Sequence, residues 1–177
     1  MPATEMLTAE DVARSALGET NKLLDECAAK IGHCVNQLSD EQIWWRPAPS
    51  LNSIGNLILH LCGNLEQWIV SGVGGAPDTR HRPAEFAERG PIPRAVLLDK
   101  LTRVVAAAQR TIAQSRPAEL ARERTIQGFA VTGWAAILHS VPHFNGHTQE
   151  IISYTRMQLG DAYKFYWQPK TPEQGAG

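Results

Sequence analysis

The stretch HSVPHFNGHTQE, residues 139–150, sets His139, His143 and His147 at intervals of four, half of the chain's six histidines. A step of four along an α-helix advances about 400° and about 6 Å, so each imidazole projects beside the next. Two such rings can share one metal ion through N–metal bonds of about 2.0–2.1 Å. Three in a row cannot readily do so, because His139 and His147 stand about 12 Å apart along the axis and about 80° around it. One adjacent pair must therefore combine with a ligand from elsewhere. Pro142 favours His143 with His147: it cannot bond the Leu138 carbonyl and crowds it, so a kink is expected there, with regular helix beyond. Taken alone, the HxxxH spacing also describes surface or satisfied core histidines.

The third ligand is sought in NSIGNLILHLCGNLEQW, residues 52–68, where His60 sits among Leu57, Ile58, Leu59 and Leu61. Its helical neighbours Asn56, Gly63, Asn64 and Gln67 form a small, polar stripe. That stripe reads either as a solvated outer face or as the lining of an internal pocket, and the apolar flanks favour the pocket. His60, His143 and His147 together would give three neutral ligands with at least one position open, the pattern of a catalytic or substrate-binding metal site. His139 is then expected to be a neighbour of the site and not a ligand.

The elements that would position these residues are helical. Apolar periodicity predicts one helix from about Thr8 to Gln37, with Thr8 and Asp11 resembling a capping box. Ser39 and Gln42 suggest a cap for a short helix that Pro47 stops. A second long helix starts near Ser50 or Ser53 and ends at GVGG. A third runs from about Pro93 to Ser115, and a fourth from Thr132 or Gly133 to about Leu159, where Gly160 can cap it. Residues 72–93, rich in Gly, Pro and charge, are expected to cross the bundle or to lid a site, and residues 116–132 to form a second crossing segment with a short helix possible before Thr125. No strand pair is predicted. The expected fold is all-α, a four-helix bundle with long crossover connections, formed as a single domain over residues 1–177 with flexible tails at 1–7 and 169–177.

Composition narrows the partners. With 17 Lys and Arg against 18 Asp and Glu, the formal net charge is −1, and no basic stripe offers itself to nucleic acid or an anionic membrane. No apolar run approaches the roughly 20 residues of a membrane span, and the first residues resemble no signal peptide. The three cysteines, Cys27, Cys34 and Cys62, fit no metal or redox spacing and read as buried free thiols, which suits a cytoplasmic protein. Trp44, Trp45, Trp68, Trp134 and Trp167 read as packing or interface residues, with Trp44, Trp45 and Trp134 a candidate dimer surface.

Four stretches resemble one uncharacterised branch of the DinB-like metal-binding family: WWRPAPSLNSIGNLILHLCGNLEQWI, GGAPDTRHRPAEFAERGPIP, TIQGFAVT and ILHSVPHFNGHTQEII. The resemblance implies a four-helix bundle, often a homodimer, with metal positions at His60, His143 and His147. The chain departs from the family pattern in having HTQE after the last histidine, where HxGQ is common, and Pro142, where this branch often has a glutamate. Some similar proteins are transferases or isomerases that use a low-molecular-weight thiol, and others are described as hydrolases. The expected cofactor is one divalent metal ion, zinc or nickel first, with a low-molecular-weight thiol as cosubstrate and a small molecule as substrate. Such an ion can deprotonate a coordinating thiol, which would attack an electrophile held near Asn64 and Gln67. A hydrolase using metal-bound water ranks second, because no HExxH glutamate is present and Glu66 and Glu150 are the nearest acids. A non-catalytic, metal-stabilised binding or stress-response protein is the third reading. The arginines of DTRHRPAEFAERG either clamp an anion at the pocket or form local ion pairs.

Overall fold

The computed structural model describes residues 6–168, so the tails expected at 1–7 and 169–177 lie outside the described residues except for Met6 and Leu7. Four helices carry the architecture: α1 (Ala9–Val35), α3 (Ile54–Leu65), α5 (Arg94–Gln114) and α7 (Gly133–Leu159). Short helices α2 (Asp40–Trp44), α4 (Arg82–Ala87) and α6 (Pro117–Leu120) sit in the connections. Helix α1 packs on α5 and α7, and α3 packs on the same two. The bundle is thus a square in which α1 faces α3 across the core and α5 faces α7. Its centre is filled by Leu24, Ile31, Leu57, Leu61, Ile112, Phe144 and Ile151, all buried. No helix among the described residues is long and apolar enough to cross a membrane.

The helix starts follow the local chemistry. Thr8 and Asp11 form a capping box, as do Ser39 with Gln42 and Ser53 with Asn56. Ser53 and not Ser50 begins α3. Beyond Leu65 the chain continues as a π-helical segment, Glu66–Ser71, in which the Gly72 N–H reaches the carbonyl of Gln67 at 2.9 Å. Helix α7 runs through Pro142 as one element, so the proline does not divide it. Every residue of α3 except Leu59 is buried, which turns the polar stripe of Asn56, His60, Gly63 and Asn64 inward.

One expectation changes. The chain between α5 and α7 holds an antiparallel hairpin, β1 (Glu123–Ile126) and β2 (Phe129–Thr132), where no strand pair was predicted. Its two-residue turn puts Gln127 at φ 52° and Gly128 at φ 82°, the backbone of a type I′ turn that matches the twist of paired strands. Residues 72–93 form the long connection between α3 and its packed neighbour α5, and lay α4 along α3.

Candidate metal centre

Helix α3 presents His60 and helix α7 presents His143 and His147 to one point in the bundle, where one nitrogen from each lies within 4.8 Å of the others. His60 Nε2 and His143 Nε2 face each other at 3.0 Å. The His60 ring stands edge-on to both partners, with centroids 5.1 Å from His143 and 5.3 Å from His147. Three nitrogens bound tetrahedrally to one ion at about 2.0–2.1 Å would be about 3.3 Å apart, so the His60–His143 pair at 3.0 Å would open slightly while the wider separations, within 4.8 Å, close.

The hydrogen bonds behind the rings set their tautomers. His60 Nδ1 lies 2.9 Å from Glu85 Oε2, and His147 Nδ1 lies 2.7 Å from Glu150 Oε2. A carboxylate can only accept, so each Nδ1 carries a proton, and in the neutral ring that tautomer leaves the lone pair on Nε2. His143 has no such carboxylate. Burial, followed by the neighbouring His147, His60, His139 and Arg80, pushes its pKa down to about 4. It stays neutral at pH 7. Without an ion, its Nε2–H can donate to His60 Nε2; with one, both nitrogens must offer lone pairs. Two donors facing each other, with carboxylates fixing two of the three rings from behind, are what a divalent cation requires. The residues fit the ion.

His139 is not part of the cluster. Its ring packs on Trp68 at 4.1 Å between centroids and stacks at 5.9 Å from His143, and burial lowers its pKa. Trp68 in turn stacks against Phe129 of the hairpin at 6.5 Å. Aromatic side chains thus extend from the trio to the hairpin that the sequence did not reveal.

The polar residues expected around the site divide. Asn64, one turn beyond His60, is 4% exposed, and its side-chain amide makes no hydrogen bond among the described residues. Gln67 is engaged on both sides of its amide: Nε2 donates to Asp78 Oδ2 at 2.8 Å and Oε1 accepts from Arg80 Nη1 at 3.0 Å. Glu66 pairs loosely with Lys100 at 3.8 Å and is not among the site's hydrogen bonds. Glu150 does reach the site, and its other oxygen accepts from Tyr154 Oη at 2.9 Å. Burial, then that carboxylate, pushes the Tyr154 hydroxyl up to about 12.

Glu85 was not singled out in the sequence, and Arg80 was read only among the arginines of its segment. Arg80 Nε and Nη2 donate to the two oxygens of Glu85 at 2.7 and 2.9 Å. Burial raises the Glu85 pKa, but hydrogen bonds from Arg80 and His60 outweigh it and leave the group below the ordinary value. Of the arginines in this segment, Arg80 therefore forms an internal ion pair, while Arg82 lies over the Phe86 ring at 4.9 Å. Phe86 packs against His60 at 4.9 Å. The available signal was Gly63. A glycine in mid-helix is costly, and one placed three residues after the key histidine marks a close approach by something else.

The cysteines are free and buried, and burial pushes Cys62 up to about 12. Trp44 is withdrawn from the expected surface: its Nε1 donates to the Ile92 carbonyl at 3.2 Å, and Cβ atoms at Gly55 or Gly90 would overlap its ring.

The architecture is that of the DinB-like helical bundles. It is similar to the crystal structure of a DinB-like protein from Bacillus cereus ATCC 10987, with TM-score 0.65 and 16% identity over 86% of this chain and 97% of that one. A conserved protein from Enterococcus faecalis is similar at TM-score 0.64 and 16% identity, over 88% of this chain and 99% of that one. None of the curated proteins compared with the sequence matches it. The chain belongs to the DUF1572 family, a protein family of unknown function, whose model matches residues 11–171.

Proposed function

We propose that the protein binds one divalent metal ion, zinc or nickel, through His60, His143 and His147, and serves as a small-molecule enzyme that activates a low-molecular-weight thiol for transfer to an electrophile. The observation that carries this reading is the convergence of three imidazoles, two of them backed by carboxylates at 2.9 and 2.7 Å. When bound, such an ion keeps its charge and supplies acidification of a thiol brought to it. The chain's own residues hold and orient. Glu85 and Glu150 retain the Nδ1 protons of His60 and His147. Asn64 is the buried amide left free to grip a substrate. Phe86 and Trp68 supply apolar surface near the rings.

The engaged carboxylates favour thiol transfer over hydrolysis. A water nucleophile needs a base with an open oxygen near the ion. Glu85 already accepts from Arg80 and His60, and Glu150 from His147 and Tyr154. A thiol brought to an ion has less need of such a base. Metal-loaded protein, purified without an affinity tag, should be incubated with a thiol panel plus an electrophile, and separately with ester and amide probes. The expected result is thiol consumption that stops on chelation. Turnover of the ester or amide probes without thiol would establish the hydrolase instead, and a metal-binding protein inert to every probe would be the non-catalytic one.

A further inference from the structure

We propose that Glu85, locked in place by Arg80 and Gly63, is a positioning residue that sets the metal affinity of the histidine trio by fixing the tautomer and orientation of His60. The proposal rests on the reading of that trio as metal ligands. Glu85 comes from a different part of the chain than the helices bearing the histidines, so its placement has to be built, and the structure builds it from several directions.

The backbone is tied first. Asn56, one turn before His60 on α3, donates through Nδ2 to the carbonyls of Glu85 at 2.8 Å and Glu88 at 3.0 Å. Arg46 Nη2 donates to Asn56 Oδ1 at 2.6 Å and to the Glu88 carbonyl at 3.3 Å. The side chain is tied next. Arg80, with its side chain 3% exposed, grips both carboxylate oxygens, and its remaining nitrogen is held by Gln67. Gln67 also binds Asp78, whose Oδ1 accepts the Arg80 backbone N–H at 3.0 Å and so closes a ring. Last, the pair lies flat on α3. A Cβ at Gly63 would overlap Glu85 Oε1 and come within 3.0 Å of Arg80 Nε.

The charges explain why both members are needed. Arg80 Nη2 is 3.2 Å from His60 Nδ1, and with both groups protonated they share Glu85 Oε2 as their acceptor. Removing the carboxylate alone frees the His60 ring and leaves an uncompensated cation beside it. Both effects oppose a divalent ion. Removing the pair together frees the ring without leaving that cation, so the two substitutions cannot be additive.

The experiment measures zinc affinity by competition with a chromophoric chelator for wild type, Glu85→Gln, Gly63→Ala and the double variant Arg80→Met with Glu85→Gln. Metal-free melting is recorded alongside, together with 15N spectra of the His60 imidazole in metal-free protein. Glu85→Gln should weaken zinc binding about 10–100-fold, as lost partners of ligating histidines do. Gly63→Ala should weaken it through displacement of the carboxylate, although it changes no titratable group. The double variant should bind more tightly than Glu85→Gln alone, and it keeps the test open if the single variant does not fold. His60 should be Nδ1-protonated in wild type and lose that preference in Glu85→Gln. A wild type that binds zinc while Glu85→Gln and Gly63→Ala bind it equally well overturns the proposal alone. A wild type that binds no zinc overturns the metal reading and this proposal together.

Discussion

Among the site's histidines, His143 stands apart because no carboxylate backs its ring, and burial holds it neutral. In metal-free protein that neutrality has a consequence for stability. The unfolded His143 takes up a proton around its ordinary value of 6.5, whereas the folded one waits until about 4. Between those values the unfolded state binds more protons, so stability is complete above the upper one and declines as pH falls towards the lower. Urea unfolding with chelator present should show a lower midpoint at pH 4.5 than at pH 7. His143→Gln should flatten part of that slope, and an unchanged slope would assign the loss to other groups. His139 tests the choice of ligands. Alanine at His60, His143 or His147 should lower metal content sharply, whereas His139→Ala should keep a stoichiometry near one, measured by elemental analysis. If His139→Ala loses its metal and His147→Ala keeps it, the assignment is wrong by one helical turn.

At the scale of elements, the long helices were legible because each carries apolar residues at helical spacing, and α1, α3 and α7 start on side-chain caps while α5 starts at Pro93. The hairpin was not. Its strands have four residues each, its outward Phe129 is 60% exposed, and its turn reads Gln-Gly where Asn-Gly is the usual signal. Gln127 takes its left-handed conformation because the pairing on either side fixes the turn, which is tertiary context and not local preference. The site divided in the same way. Spacing on α3 and α7 exposed the three histidines, but Glu85 and Arg80 lie in a charge-rich segment where nothing local separates a buried pair from a solvated one. Pro142 lies within one continuous helix. It lacks one hydrogen bond to Leu138 while the packing of α7 on α1 and α3 holds the helix together. Pro142→Ala should therefore restore that bond and raise stability by about 1–2 kcal/mol, the full helix-interior cost being offset by a looser unfolded chain. Chemical denaturation is the measure, with metal content unchanged, and a destabilised variant would contradict it.

For the whole molecule, two questions concern what joins its parts. The first is whether copies pair. Trp44 is taken up by Gly55, Gly90 and Ile92, but Trp45, Val12 and Leu138 remain exposed apolar surface, and we expect a homodimer. Light scattering at micromolar concentration should give twice the chain mass of 19.5 kDa, and a monomer mass would refute it. The second is what an ion would do to the bundle. His60 belongs to α3, His143 and His147 belong to α7, and through Glu85 the same point reaches the connection that carries α4. An ion bound there ties three separate stretches of chain that the unfolded state cannot bring together, so binding adds to folding stability. At free metal one hundred times its dissociation constant the gain is about 2.7 kcal/mol, and a chelator should remove it. Melting should shift upward with added zinc in wild type and His139→Ala, and show no shift in His60→Ala or His147→Ala. A melting point indifferent to both zinc and chelator in the wild type would show that no ion ties α3 to α7.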